Sequence, residues 1–403
     1  MTQHEERFLL RDVTVYTEYE AISDGFLIVE NGMIKRVGRI EELEREGGIR
    51  TLSLPGCYLT PGMIDIHIHG AEGADIMDGT LDALTTIAKA LPREGTTSFL
   101  ATTLTQSVDR ISQAISNVTS YQQMQPKKGY AEVLGIHLEG PFIAWKRRGA
   151  QPIDYIQLPD LQQFNHWQSL AKGSIRIVTL APEIEGGFNL VKSLKQRGVI
   201  VSIGHSDATF SEVEQAIKLG ASHITHLYNG MRGLHHREPG VVGAALLHKE
   251  LMVEVIPDGI HSLPEMVKLA LQMKTARGII LITDGMRAKC LPDGTYELGG
   301  QTVNVTDRCA TLSDGTLAGS VLTMDDGATN MLRYTGCTLL DIVHMTAVNP
   351  AKQLGVFHRK GSLASGKDAD LNVYNEEGER IATFCKGSLS FARNGGAFSS
   401  WKC

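Results

Sequence analysis

A chain of 403 residues that is 42% hydrophobic and 21% charged can bury a sizeable core, and its net charge of −6 argues against a nucleic-acid-binding surface. No apolar run approaches the ~20 residues that cross a bilayer, and the polar start Met-Thr-Gln-His-Glu-Glu-Arg leads into no apolar export segment; the expectation is a cytoplasmic protein without a membrane partner. Cysteines at 57, 290, 309, 337, 385 and 403 form no CxxC pair, which fits reduced thiols better than a disulfide framework or a zinc ribbon.

Phe8 to Tyr16 and Gly25 to Val37 alternate polar and apolar residues, and Asn31-Gly32 within the second stretch is a type I′ hairpin signal, so the chain begins as antiparallel β. From Pro61 short apolar runs are separated by helix-length stretches, which predicts parallel strands near 61–68, 97–103, 133–139, 175–181, 200–205, 223–227, 252–256 and 279–284. Eight βα repeats fit a (β/α)8 TIM barrel, with an open doubly wound sheet as the alternative. The barrel is favoured because His67, His69, Glu139, Glu183, His205, His226 and Asp284 gather just past strand ends, which in a barrel share one face. The Gly- and Thr-rich stretch 293–320 reads as a β-hairpin insertion after strand eight, followed by helix-like segments near 325–347. Asp368 to Tyr374 returns to β character and is expected to pair with the N-terminal strands. The expected division is a small β-sandwich domain from 1–60 and 350–403 around a barrel spanning 61–349.

The strongest local signal is Asp65-Ile-His67-Ile-His69-Gly70: histidines at i and i+2 on a strand point the same way and can reach one metal ion. Glu139, in His137-Leu-Glu139-Gly-Pro, ends an apolar strand, where a carboxylate either ligates or bridges divalent ions or makes a salt bridge in the barrel mouth. His205 and His226 each follow an apolar strand, and neutral imidazoles suit Zn, Fe, Co or Mn. His137, deeper than Glu139, and His223, facing away from His226, read as packed core histidines. Asp284, after Ile279-Ile-Leu-Ile-Thr, either shuttles a proton between water and a leaving nitrogen or serves as a helix cap or plain ligand. Four histidines and a glutamate at four strand ends make a shared site the economical reading.

Taken together, PGMIDIHIHG, GIHLEGPF, SIGHSDAT, THLYNGM, REPG, PDGIH, LITDG and LAGS occur in family order between residues 61 and 320 and resemble the N-acetylglucosamine-6-phosphate deacetylases of the amidohydrolase superfamily. The resemblance implies a metal set of Glu139, His205 and His226 and a catalytic Asp284. Because His67 and His69 are kept, it implies two divalent ions bridged by Glu139. It places His261 on the acetamido carbonyl or sugar, and gives substrate-binding positions to Ala150, Asn229, Gly230, Arg237, Asp258, Leu317, Ala318 and Gly319. Gln151 stands where some relatives have histidine, which leaves the sugar contact there open, and the basic segment around Arg147 and Arg148 is a second candidate for phosphate. The resemblance further implies a homodimer acting on a small-molecule substrate, N-acetylglucosamine 6-phosphate. Competing readings are a cyclic-amide hydrolase, disfavoured because no lysine occupies the strand end that Glu139 fills, and a catalytically dead scaffold, disfavoured because every expected ligand is present.

Overall fold

The computed structural model describes residues 7–44, 48–394, 397–398 and 401; residues 1–6 and Cys403 lie outside them. Eight parallel strands form one sheet in chain order: Met63–Ile68, Thr96–Thr102, Glu132–Glu139, Ile175–Leu180, Ile200–Ile203, Ala221–Ile224, Met252–Val255 and Ile279–Leu281. A helix follows each strand, from Leu81–Ala90 after the first to Met324–Thr335 after the eighth. Parallel neighbours require such crossovers, and the helices cover the outer face of the sheet. The sheet closes on itself just beyond the last strand. Asp284 N–H donates to His67 O at 2.9 Å, and the amides of His69 and Gly70 donate to Gly285 O at 2.8 and 2.9 Å. This is the (β/α)8 barrel that the strand pattern predicts.

Inside the barrel, Leu100, Ile177, Ile256, Ile280 and Ile282 pack as one buried cluster. Beside it, on strands three to five and at the end of strand six, lies a polar layer. His137 Nε2 meets Thr179 Oγ1 at 2.7 Å, which meets Thr225 Oγ1 at 2.7 Å, and Ser202 Oγ lies 2.5 Å from the latter. The site stands on this hydrogen-bonded floor, whose members could not be told from packing residues by strand period alone.

The strands from both chain ends share a second sheet. Arg7–Tyr16 pairs antiparallel with Ala21–Glu30, and with both Arg50–Ser53 and Tyr58–Pro61 in parallel; Leu371–Tyr374 adds antiparallel to Tyr58–Pro61, as expected of the tail. Asn31 and Gly32 take φ of 53° and 80° in the turn into Met33–Arg39, the left-handed pair that a type I′ turn needs. Phe8 and Phe384 are three strands apart in this sheet, roughly 14 Å if it were flat. Their rings lie 5.3 Å apart, so the sheet folds over its own core.

The insertion differs from the expected hairpin. Gly294–Leu298 and Gln301–Thr306 form the hairpin, and a third strand, Cys309–Thr311, joins its edge. Asp307 and Arg308, at φ of 49° and 66°, make the tight left-handed turn that brings it back, a conformation which Arg does not advertise.

Candidate active site

Each strand end delivers its side chain by a specific backbone device. His67 and His69 lie two residues apart in extended chain, with ring centroids 5.4 Å apart. Glu139 is the last residue of the third strand. His205, His226 and Asp284 stand just past strands five, six and eight in left-handed conformation, with φ of 49°, 32° and 50°. For residues other than glycine such backbone costs of order 1–3 kcal/mol each, and three in one cluster mark a place where position is worth strain. Gly230, at φ 56°, leaves room for one of these rings, since a Cβ there would sit 3.0 Å from His205 Nδ1 and press on the imidazole.

Imidazole tips and carboxylate oxygens converge. Glu139 Oε1 lies 3.1, 3.2 and 3.5 Å from Nε2 of His205, His226 and His67, and Oε2 lies 3.3 Å from His69 Nε2. Asp284 Oδ1 is 3.4 and 3.2 Å from Nε2 of His67 and His69. Ligands held at ~2.1 Å with tetrahedral angles are separated by roughly 3.4 Å, so these spacings match the edges of a metal's coordination shell.

Tautomers agree with that reading. Behind the cluster, Nδ1 of His67 faces Glu254 Oε2 at 2.9 Å, Nδ1 of His69 faces Thr102 O at 3.2 Å, and Nδ1 of His205 faces Arg147 O at 2.9 Å. Each acceptor takes the Nδ1 proton and leaves a bare Nε2 lone pair aimed inward. The buried Nε2 of His67 has no hydrogen-bond partner of its own. Lone pairs facing carboxylate oxygens repel unless a proton or a cation lies between them. The electrostatics say the same: burial lowers the proton affinity of His69, but hydrogen bonds to Asp284 and Glu139 outweigh it and raise its pKa to about 10. Burial likewise opposes ionisation of Glu139, but positive charge at His67 and the hydrogen bonds of His205, His226 and His67 override it and hold the carboxyl well below its usual range, so without a cation the ring protons would have to supply that charge. A divalent cation would satisfy that demand. Among the described residues three groups are compact enough to hold one: His67/His69/Glu139, Glu139/His205/His226 and, beneath them, His67/His137/Glu254. Only the first two include residues that line the cleft above the cluster.

A cleft of about 230 Å³ opens over the cluster. His69, Glu139, Ala150, Gln151, His205, His226, Asn229, Gly230, His261, Asp284, Leu317 and Gly319 line it. His67 is buried beneath, Ala318 is buried behind the wall, and Asp258 backs His261, its Oδ2 2.6 Å from Nδ1. Burial disfavours the His261 imidazolium, but the Asp258 hydrogen bond and charge prevail and raise its pKa. Arg237 does not line the cleft of its own chain; its Nη1 lies 2.8 Å from His236 Nε2 on an exposed loop. Gln151 is tied to protein at both ends of its amide, Nε2 to Glu139 Oε2 and Oε1 to Thr105 N, both at 2.8 Å. Arg147 is engaged by Asp207, which also binds Lys146 and Arg232.

His137 uses both ring nitrogens internally, on Ile66 O and Thr179 Oγ1. Two residues escaped sequence reasoning in different ways. Glu254 was not singled out, although a lone carboxylate inside the apolar run Met252-Val-Glu-Val-Ile was the available signal. His223 does more than pack, because its Nε2 meets Glu254 Oε1 at 3.1 Å.

Residues 58–389 match the Amidohydrolase family. The chain belongs to the amidohydrolase family. This amidohydrolase is 49% identical to the N-acetylglucosamine-6-phosphate deacetylase of Bacillus subtilis (strain 168) over 388 residues, 96% of this chain and 98% of the relative. It superposes on the crystal structure of the Thermotoga maritima N-acetylglucosamine-6-phosphate deacetylase with a TM-score of 0.85 at 34% identity, covering 96% of this chain and all of the other. A variant of the Mycobacterium smegmatis N-acetyl-D-glucosamine-6-phosphate deacetylase, solved in complex with N-acetyl-D-glucosamine-6-phosphate, gives a TM-score of 0.89 at 30% identity, with 96% and 100% coverage.

Proposed function

We propose that this amidohydrolase removes the acetyl group of N-acetylglucosamine 6-phosphate, giving glucosamine 6-phosphate and acetate. The observation that carries the reading is the single cleft in which a carboxylate-bridged histidine cluster, an aspartate and a buried-carboxylate-backed histidine meet. The 49% identical relative with that activity supports the choice of substrate. His67, His69, Glu139 and Asp284 would hold one divalent cation and Glu139, His205 and His226 another. Such ions act as Lewis acids that acidify the attacking water and polarise the amide carbonyl.

The protein's own groups do the rest. Asp284 takes the proton of the attacking water on its carboxylate and returns it to the leaving nitrogen, without which the amine is a very poor leaving group. His261, kept cationic by Asp258, donates from Nε2 to the oxyanion as the tetrahedral carbon forms. Asn229 turns its amide nitrogen to His226 O and Leu227 O, which leaves Oδ1 for a sugar hydroxyl. Gln151, with its amide spent on Glu139 and Thr105, orients the bridging carboxylate in place of binding sugar. Arg237, exposed and without a carboxylate partner among the described residues, is the phosphate ligand, contributed across a homodimer to the cleft of the second copy. The unpaired thiols of Cys57, Cys290, Cys309, Cys337 and Cys385 support a reducing, cytoplasmic setting.

Acetate release by metal-reconstituted protein tests the reading, with N-acetylglucosamine 6-phosphate, unphosphorylated N-acetylglucosamine and dihydroorotate offered in parallel. Turnover of the phosphorylated sugar well above the other two is expected. Preference for dihydroorotate would move the chain to the cyclic-amide hydrolases, and absence of any turnover in a metal-loaded, folded protein would favour the scaffold.

A further inference from the structure

We propose that Glu254 is a positioning residue for the second divalent cation, holding His67 in the tautomer and orientation that aim its Nε2 at Glu139 and Asp284. The inference rests on the two-cation reading above.

Glu254 sits in the middle of the seventh barrel strand and is wholly buried. A carboxylate there is tolerated only if hydrogen bonds replace its water. The replacements are specific. Oε2 faces His67 Nδ1 at 2.9 Å and accepts from the His226 amide at 3.1 Å, while Oε1 faces His223 Nε2 at 3.1 Å. Gln353 Nε2 lies 3.2 Å from His223 Nδ1, so the protons run in one direction, from Gln353 through His223 to Glu254.

Comparison among the cluster histidines gives this contact its meaning. His69 and His205 are backed by main-chain carbonyls, Thr102 O and Arg147 O. His67 alone among these three is backed by a carboxylate. A charge-assisted bond is about twice as strong as a neutral one, and it makes the opposite nitrogen a better donor to a metal. Glu254 reaches His226 only through the main chain, so its leverage falls on the His67 ring.

Zn2+ binding to the full metal-free chain tests this, measured by competition with a chromophoric chelator and by elemental analysis after dialysis. The wild type is expected to take up two equivalents. In Glu254→Gln the amide oxygen still accepts from His67 and His226, so the first equivalent should bind unchanged while the second weakens by about 10- to 100-fold. Glu254→Asp, which keeps the charge on a shorter arm, should recover part of the loss. It also carries the test if circular dichroism shows the glutamine variant unfolded. Second-equivalent binding within threefold of wild type in a folded variant would overturn the proposal, as would equal weakening of both equivalents, which would make Glu254 a general support. A wild-type chain that binds one equivalent would instead overturn the two-cation reading, and the role of Glu254 with it.

Discussion

Replacing Asp284 by Asn isolates proton transfer from architecture, because the surroundings of this residue separate the two. Its main chain is fastened independently of its side chain: the amide donates to His67 O at 2.9 Å and the carbonyl accepts from Ser320 N at 2.8 Å. Its φ of 50° lies in the left-handed region, which asparagine enters more readily than most residues. The Glu139/His205/His226 group does not include it, so one cation should remain in place. What disappears is the group that takes a proton from water and hands it to nitrogen. General acid–base catalysis contributes ~10²–10⁴-fold. At 1.36 kcal/mol per decade this adds roughly 3–5 kcal/mol to the barrier. Acetate release at saturating N-acetylglucosamine 6-phosphate should show a kcat lower by that factor, with near-native circular dichroism and at least one equivalent of metal by elemental analysis. Near-normal turnover in a metal-loaded variant would mean that another group carries the proton.

Arg237→Ala should cut kcat/KM for the phosphorylated sugar by roughly 10- to 150-fold, the equivalent of a ~1.5–3 kcal/mol charged hydrogen bond, and spare the weak hydrolysis of plain N-acetylglucosamine. Equal losses on both would assign the arginine to loop or dimer support. Asp258→Asn keeps an acceptor for the Ile260 and His261 amides but removes the charge that sustains the His261 imidazolium. Because the Asp258 contact raises that pKa, the cation should be lost at lower pH in the variant. The alkaline limb of the kcat/KM profile should move down in pH, and an unmoved limb would exclude His261 as a cationic donor. Glu132 is packed against Lys360, Arg359 and Lys386. Burial opposes its ionisation, yet Lys360 foremost, then Arg359 and Lys386, hold its carboxyl well below the ordinary 4.5. A depressed folded-state pKa contributes stability above the unfolded value and loses it as pH falls. Glu132→Gln should therefore lower Tm at neutral pH and flatten its decline below pH ~4.5. The loss should be less than the ~3–5 kcal/mol of a severed buried pair, since Lys360 retains Asp368 and Asp370. Melting curves for the two proteins that fall in parallel with acid would refute the assignment.

The barrel was legible because parallel strands buried on both faces announce themselves as apolar runs, and the eight runs read from the sequence coincide with the eight strands to within a few residues. The histidines at their ends were legible because a polar residue that interrupts such a run needs a reason. Other features depend on three-dimensional context. Whether His223 packs or donates turns on Glu254, which lies 31 residues away on the neighbouring strand. The third strand of the insertion follows a left-handed Asp307-Arg308 turn that no local preference encodes. The hydroxyls of Thr179, Ser202 and Thr225 look like ordinary β-branched or small strand residues until the barrel closes and stacks them. Arg237 was legible as a cation on a loop; its distance from the cleft of its own chain is a property of the fold.

The seam where the barrel closes runs directly through the site. His67 and Asp284 are joined across it main chain to main chain, although they stand 217 positions apart in the sequence. A ribosome that has finished strands one to seven has therefore made every imidazole of the cluster but only one side of the seam. Until Gly285 docks against His69 and Gly70, the His67/His69 half of the proposed metal site has no wall. On the two-cation proposal, uptake at that half would be coupled to this long-range closure, because a ligand that binds only the closed form stabilises it by mass action. Stripping the metal should loosen the first and eighth strands before the others, an order that amide hydrogen exchange along the eight strands would display.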